Sequence, residues 1–225
     1  TVGGILQNSR GNELLSSLII MVAVQLSPLI TTLIFRKKYN EKKSYSYKLD
    51  KYSVMSIVFP IILVLLSSFV LGLTGRHYVK SEYTGYLLII GIILTIVGSV
   101  SEEIGWRGTL LSILEDKYTA FTGSLFVGVF WGAWHFFKIM NVGFVGYVLF
   151  IPTVIMLSIF ITYFYTKSKN NILNAIFYHV FFNISNLVLL FARESIQLYV
   201  TVLGVSIISL LSLFIYDRDY FKLKK

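Results

Sequence analysis

The 225 residues are 56% hydrophobic and only 14% charged, with a mean hydropathy of +0.74, against roughly 45–50% and about 25% in a soluble domain. A soluble fold of this length has too little interior for that much apolar surface, which excludes a soluble globular domain, a disordered chain and a nucleic-acid-binding domain. The net charge of +9 comes from basic residues in short runs between apolar blocks, a pattern suited to anionic lipid headgroups, and the absence of cysteine excludes disulfides and thiolate ligation.

In chain order, stretches free of Asp, Glu, Lys and Arg run over 14–35, 52–75, 83–101, 118–137, 139–166, 170–192 and 195–216. Each is close to or longer than the roughly 20 residues a helix needs to cross a bilayer. No two-residue alternation accompanies them, so a transmembrane barrel is not expected. The reading is all-α: a polytopic transmembrane helical bundle of seven spans. The chain opens at Thr1 without Met, and an upstream helix would make eight. Short connectors and the lack of a repeat or linker imply one domain over 1–225.

The 36–51 connector holds seven basic and two acidic residues, with Tyr39, Tyr45, Tyr47 and Tyr52 where interfacial aromatics belong. With one crossing per stretch, 15 of the 20 Lys and Arg fall on one side. The positive-inside rule then puts the C-terminus in the cytoplasm and Thr1 outside. If 83–101 and 102–117 crossed separately, the tally would drop to 10 of 20.

The segment 102–117 does not read as a loop. Glu102, Glu103 and Arg107 interrupt apolar sequence that otherwise continues as an α-helix to Leu114. Ionisable groups at membrane depth cost about 2.5–3.5 kcal/mol each on insertion scales and mark functional sites. Glu103 and Arg107 stand at i,i+4 with the acid first, the favourable order for an ion pair. Glu102 lies about 100° around the helix, with Trp106 at i+4 as an apolar shield. A carboxylate left without a counter-ion and poorly solvated is suited to proton transfer near neutral pH. The alternative is a structural network of all three charges.

Among the histidines, His77 sits in a polar connector and reads as solvated surface, whereas His135 and His179 lie in apolar helices. With a turn near Tyr118, Glu102 and His135 fall 16 and 17 residues away, about 24–26 Å along antiparallel helices, and so at one depth. His179 and Asn183 are one turn apart on a common face.

Glu-Glu-x-x-x-Arg at Glu102, Glu103 and Arg107, aromatic-x-x-x-His at Trp131 and His135, and His-x-x-x-Asn at His179 and Asn183 resemble the three motifs of the CPBP intramembrane proteases. That family groups type II CAAX prenyl endopeptidases with bacteriocin-processing and bacteriocin-immunity proteins. The motifs stand in the family's order over 102–183. The second usually opens with Phe where Trp131 stands here, a swap that should preserve packing. The resemblance implies peptide-bond hydrolysis within the membrane. In one version Glu102 and His135 activate a water, His179 and Asn183 hold the oxyanion, and Glu103 and Arg107 support the site. In the other, a divalent metal, zinc, sits on Glu102, His135 and His179, two imidazoles and a carboxylate being a known catalytic set. No H-E-x-x-H occurs, and the reading leans to the first version.

The expected partners are membrane lipid and a peptide or protein substrate, either lipidated or a leader peptide, with no nucleic acid. A CAAX substrate would require a site open to the cytoplasm, whereas the one-crossing count places the His135 end outside. Two rivals remain: a non-catalytic bacteriocin-immunity-type membrane protein, and an ion- or proton-coupled transporter, for which no inverted repeat is visible.

Overall fold

Apolar stretches that cannot hydrogen-bond to lipid must satisfy their own backbone, and within a bilayer a single segment does so as a helix. In the computed structural model, which describes residues 12–39, 45–74, 86–189 and 195–222, each charge-free stretch is a helix. They are α1 (Asn12–Tyr39), α2 (Lys51–Leu73), α3 (Tyr86–Gly105), α4 (Ala120–Trp134), α5 (Ile139–Lys167), α6 (Ile172–Leu189) and α7 (Ile196–Tyr216). Polar residues start three of them. The Asp50, Thr119 and Ser195 side chains accept from the backbone N–H of Ser53, Thr122 and Leu198, satisfying donors that a first turn leaves free. His77 lies outside the described residues.

The outer faces of the bundle are apolar. Val54, Phe69 and Leu73 on α2 and Ile208 and Ile215 on α7 are each more than 60% exposed. Apolar faces of that extent belong in hydrocarbon rather than water. Lys51–Leu73, Leu88–Leu114, Phe136–Lys167 and Ile196–Tyr216 are long and apolar enough to cross, with Ala120–Trp134 and Ile172–Val188 as shorter apolar helices. The protein is a multi-pass, all-helical integral membrane protein.

Two features differ from the sequence expectation. The helix after Glu103 does not stay α-helical, because Trp106–Leu111 forms a π-helical turn before Ser112–Leu114 resumes the α pattern. Leu88–Leu114 nonetheless stays one continuous helical segment, in keeping with a single crossing there. In addition, α4 has only 15 residues, about 22 Å, less than the hydrocarbon thickness of about 30 Å. It stops at His135 (φ −83°, ψ 23°) and passes through a 3₁₀ turn, Phe136–Lys138, into α5, which is kinked at Gly143 with φ 70°.

Small residues set the helix spacing. Ser124, Gly128 and Gly132 recur every fourth residue on α4, the small-residue stripe that lets membrane helices approach closely. A Cβ on Gly128 would stand 2.7 Å from Ile155 Cα of α5, and Ser158 Oγ donates to the Ser124 carbonyl at 2.8 Å. On the opposite flank, a Cβ on Gly105 of α3 would meet Pro28 of α1 at 2.5 Å. Between α2, α5 and α6 the rings of Phe59, Phe160, Phe164 and Tyr178 form an aromatic core, with Phe59 centred 5.0 Å from Phe160.

Polar contacts gather one set of helix ends. Asn174 Nδ2 donates to Asp50 Oδ1 at 3.2 Å, Ile172 N to the Ser46 carbonyl, Tyr45 OH to the Gly108 carbonyl at 3.0 Å, and Lys167 pairs with Asp217 at 2.5 Å. This is the basic end that the charge count assigns to the cytoplasm. Burial works against ionisation of Asp217, but the Lys167 ammonium overrides it and holds the carboxyl below its ordinary range.

Candidate active site

Three helices bring the charged and imidazole side chains together, and α3 supplies both carboxylates. Glu103 Oε1 accepts from Arg107 Nη1 at 3.0 Å, the i,i+4 pair that the spacing predicts. Arg107 Nη2 donates to the Ser158 carbonyl of α5 at 3.3 Å, and neither Glu103 nor Arg107 is exposed. The same Glu103 oxygen lies 2.7 Å from His179 Nδ1 on α6. His179 is thus tied to Glu103, an association between α3 and α6 that neither helix's own spacing reveals.

The π turn begins immediately after this cluster. An i→i+5 insertion re-aims the residues that follow, and such turns concentrate at functional sites. Here it leaves the Gly108 carbonyl to accept from Tyr45 OH and, at 3.4 Å, from Arg36 Nη2. A Cβ at Gly108 would stand 2.6 Å from that hydroxyl, so only glycine admits the tyrosine without displacing it. The connector after α1 is in this way fastened to the helix that carries both acids.

Glu102 faces α4. Its Oε2 accepts from Trp131 Nε1 at 2.7 Å, and the residue is 5% exposed. Trp131, not Trp106, is therefore the aromatic neighbour hydrogen-bonded to Glu102. Trp106 instead packs edge-on against Trp134, with centroids 6.2 Å apart. His135 Nδ1 lies 2.8 Å from the Trp131 carbonyl. A carbonyl only accepts, so Nδ1 carries the proton and a neutral ring keeps its lone pair on Nε2. The Trp131 ring lies 5.0 Å from His179, 6.1 Å from His135 and 5.1 Å from the Arg107 guanidinium carbon. One turn beyond His179, Asn183 Nδ2 donates to Ser99 Oγ of α3 at 3.4 Å.

The structure thus links Glu102 to Trp131, His135 to the same tryptophan's backbone, and His179 to Glu103. Sequence reasoning took Trp131 as a packing residue and did not single out Ser99 or Ser158. The indole N–H, which Phe lacks, was the available signal. Glu103 Oε2, Arg107 Nε and Trp106 Nε1 are buried without a hydrogen-bond partner.

The metal version calls on Glu102, His135 and His179 as ligands. Among the described residues no three His, Cys, Asp or Glu side chains are arranged to hold a metal ion. Nδ1 of His135 is directed at a backbone carbonyl and Nδ1 of His179 at Glu103, so only Nε2 of each ring is left to meet a ligand.

Fold and site together define a polytopic helical membrane protein with a buried acid–imidazole cluster. Residues 83–185, which contain all three motifs, match the family model described as type II CAAX prenyl endopeptidase Rce1-like. The chain is also 24% identical over 229 residues to a curated protein of the archaeon Methanococcus maripaludis named CAAX prenyl protease 2, covering 91% of this chain and 83% of that protein. The resemblance seen in the motifs is borne out, an archaeal relative accords with a prokaryotic membrane, and these likenesses support an endopeptidase that works within the membrane.

Proposed function

We propose that Glu102 and His135 activate a water for hydrolysis of a peptide bond, without a metal in the step. The observation that supports this most is the pairing around Trp131. Its indole holds one oxygen of Glu102, and its carbonyl holds the Nδ1 proton of His135. Glu102 keeps its second oxygen and His135 its Nε2 lone pair for the water.

The water oxygen attacks the amide carbon while its proton passes to Glu102. The tetrahedral oxyanion accepts hydrogen bonds from the Asn183 amide and His179 Nε2. His179 donates there when it carries both ring protons, with the Glu103 carboxylate as counter-charge. Preorganised donors of this kind contribute about 2.7–4 kcal/mol each to the barrier. As the C–N bond breaks, Glu102 returns the proton to the leaving nitrogen, giving one carboxylate and one amine. Glu103 and Arg107 bind no reacting atom and hold the helix and its field in place.

The substrate class follows from the relative's name, CAAX prenyl protease 2. It is a polypeptide whose lipid-bearing cysteine near the C-terminus anchors it in the bilayer. The test is cleavage in proteoliposomes of a prenylated CAAX peptide beside its unprenylated form. The prenylated peptide should be cut preferentially, His135→Ala should abolish cutting, and exhaustive chelation should leave the rate unchanged. Loss on chelation with recovery on zinc addition would reinstate the metal version. Cleavage of neither peptide would return the immunity-type reading.

A further inference from the structure

We propose that Trp131 is a positioning residue for Glu102, its indole N–H orienting the carboxylate so that one oxygen is left for the water. The proposal rests on the reading of Glu102 as general base and assigns Trp131 a task that an aromatic ring alone cannot perform. Three observations carry it. The indole nitrogen stands 2.7 Å from Glu102 Oε2, the short range of a bond to an ionised acceptor. Trp131 is 4% exposed, so no solvent replaces that donor. The ring itself cannot turn freely, because Arg107 and His179 lie against it at 5.1 and 5.0 Å.

Among the described residues no ion pair reaches Glu102, since Arg107 is engaged with Glu103 and Ser158 and His179 with Glu103. A carboxylate with two torsions beyond its Cβ and no fixed partner would sample several orientations. The indole removes that freedom at Oε2. The same residue's carbonyl fixes the His135 tautomer, so one position on α4 aligns both members of the water-activating pair. A Phe here, usual in the resembling family, would supply the ring and the carbonyl but no donor. In this chain the donor belongs to Trp131.

The experiment separates shape from hydrogen bonding. At position 131 alone, Trp is replaced by 3-benzothienylalanine, an isostere with sulfur in place of N–H, and in parallel by 5-fluorotryptophan, which keeps the N–H. The isostere should lower kcat for the prenylated peptide about ten- to hundredfold, the worth of one bond to a charged group, with KM within about twofold. The fluorinated analogue should hold kcat near the native value. A native kcat in the isostere, a loss in KM alone, or equal losses in both analogues would overturn the proposal.

A second readout does not depend on cleavage. In ¹⁵N-labelled protein the Trp131 indole resonance, assigned by its disappearance in Trp131→Phe, should move upfield in Glu102→Gln as the charge-assisted bond weakens. An unmoved resonance would overturn the proposal even if the enzyme cuts peptide. A moved resonance in a protein that cuts nothing would uphold the bond while the protease reading fails.

Discussion

Replacing Arg107 with methionine takes the counter-charge from a carboxylate that no solvent reaches, while nearly keeping the volume. Arg107 makes one bond to Glu103 at 3.0 Å and one to the Ser158 carbonyl at 3.3 Å, and both ends of the ion pair are fully buried. Breaking a buried pair from one side costs about 3–5 kcal/mol, mostly because the surviving charge is left without compensation. His179 remains 2.7 Å from the same Glu103 oxygen, so the loss should fall near the lower figure, about 3 kcal/mol. The assay is reversible unfolding of the purified protein in mixed micelles by titration with a denaturing detergent. The double variant Glu103→Gln/Arg107→Met removes the stranded carboxylate and leaves His179 neutral, and at least half of the lost stability should return. A loss below about 1 kcal/mol for Arg107→Met, or no recovery in the double variant, would refute the reasoning.

Gly128→Ala should destabilise by about 1–3 kcal/mol, because the added Cβ meets Ile155 backbone at 2.7 Å and neither helix can yield cheaply. Gly204→Ala, where nothing lies within 4 Å, should be neutral or gain about 0.5–1 kcal/mol in the same titration. The Asp217–Lys167 pair should give a small acid sensitivity. Since the folded-state value of Asp217 lies below the ordinary one, its contribution is complete above about pH 4 and is lost as pH falls toward the folded value. That contribution is under about 1 kcal/mol for a partly exposed pair. Asp217→Asn should therefore flatten the stability profile between about pH 5 and 3 relative to the parent, and an unchanged slope would contradict the assignment.

The helices were legible because charge is so costly in hydrocarbon that its absence marks each span. The Glu103–Arg107 pair was legible too, since i,i+4 spacing fixes a helical neighbour. The Trp106–Leu111 π turn was not, because Trp106, Arg107 and Gly108 continue the pattern without a proline or a polar turn cluster. Depth arithmetic could set Glu102 and His135 level, but it says nothing of how each helix is rotated. The His179–Glu103 and Trp131–Glu102 bonds depend on that rotation. The end of α4 at Trp134 was hidden for a related reason. The sequence stays apolar through Phe137, while the backbone leaves the helix at His135 and turns into a 3₁₀ segment at Phe136.

The central claim is that Glu102 moves the proton of the attacking water, and the most direct measurement is single-turnover cleavage by Glu102→Gln in lipid. The amide keeps the shape and can still accept from Trp131, but it cannot take a proton. The rate should fall at least about 10²–10⁴-fold, with native unfolding behaviour and unchanged peptide binding. A Glu102→Gln protein that cuts at the parent rate would contradict the account.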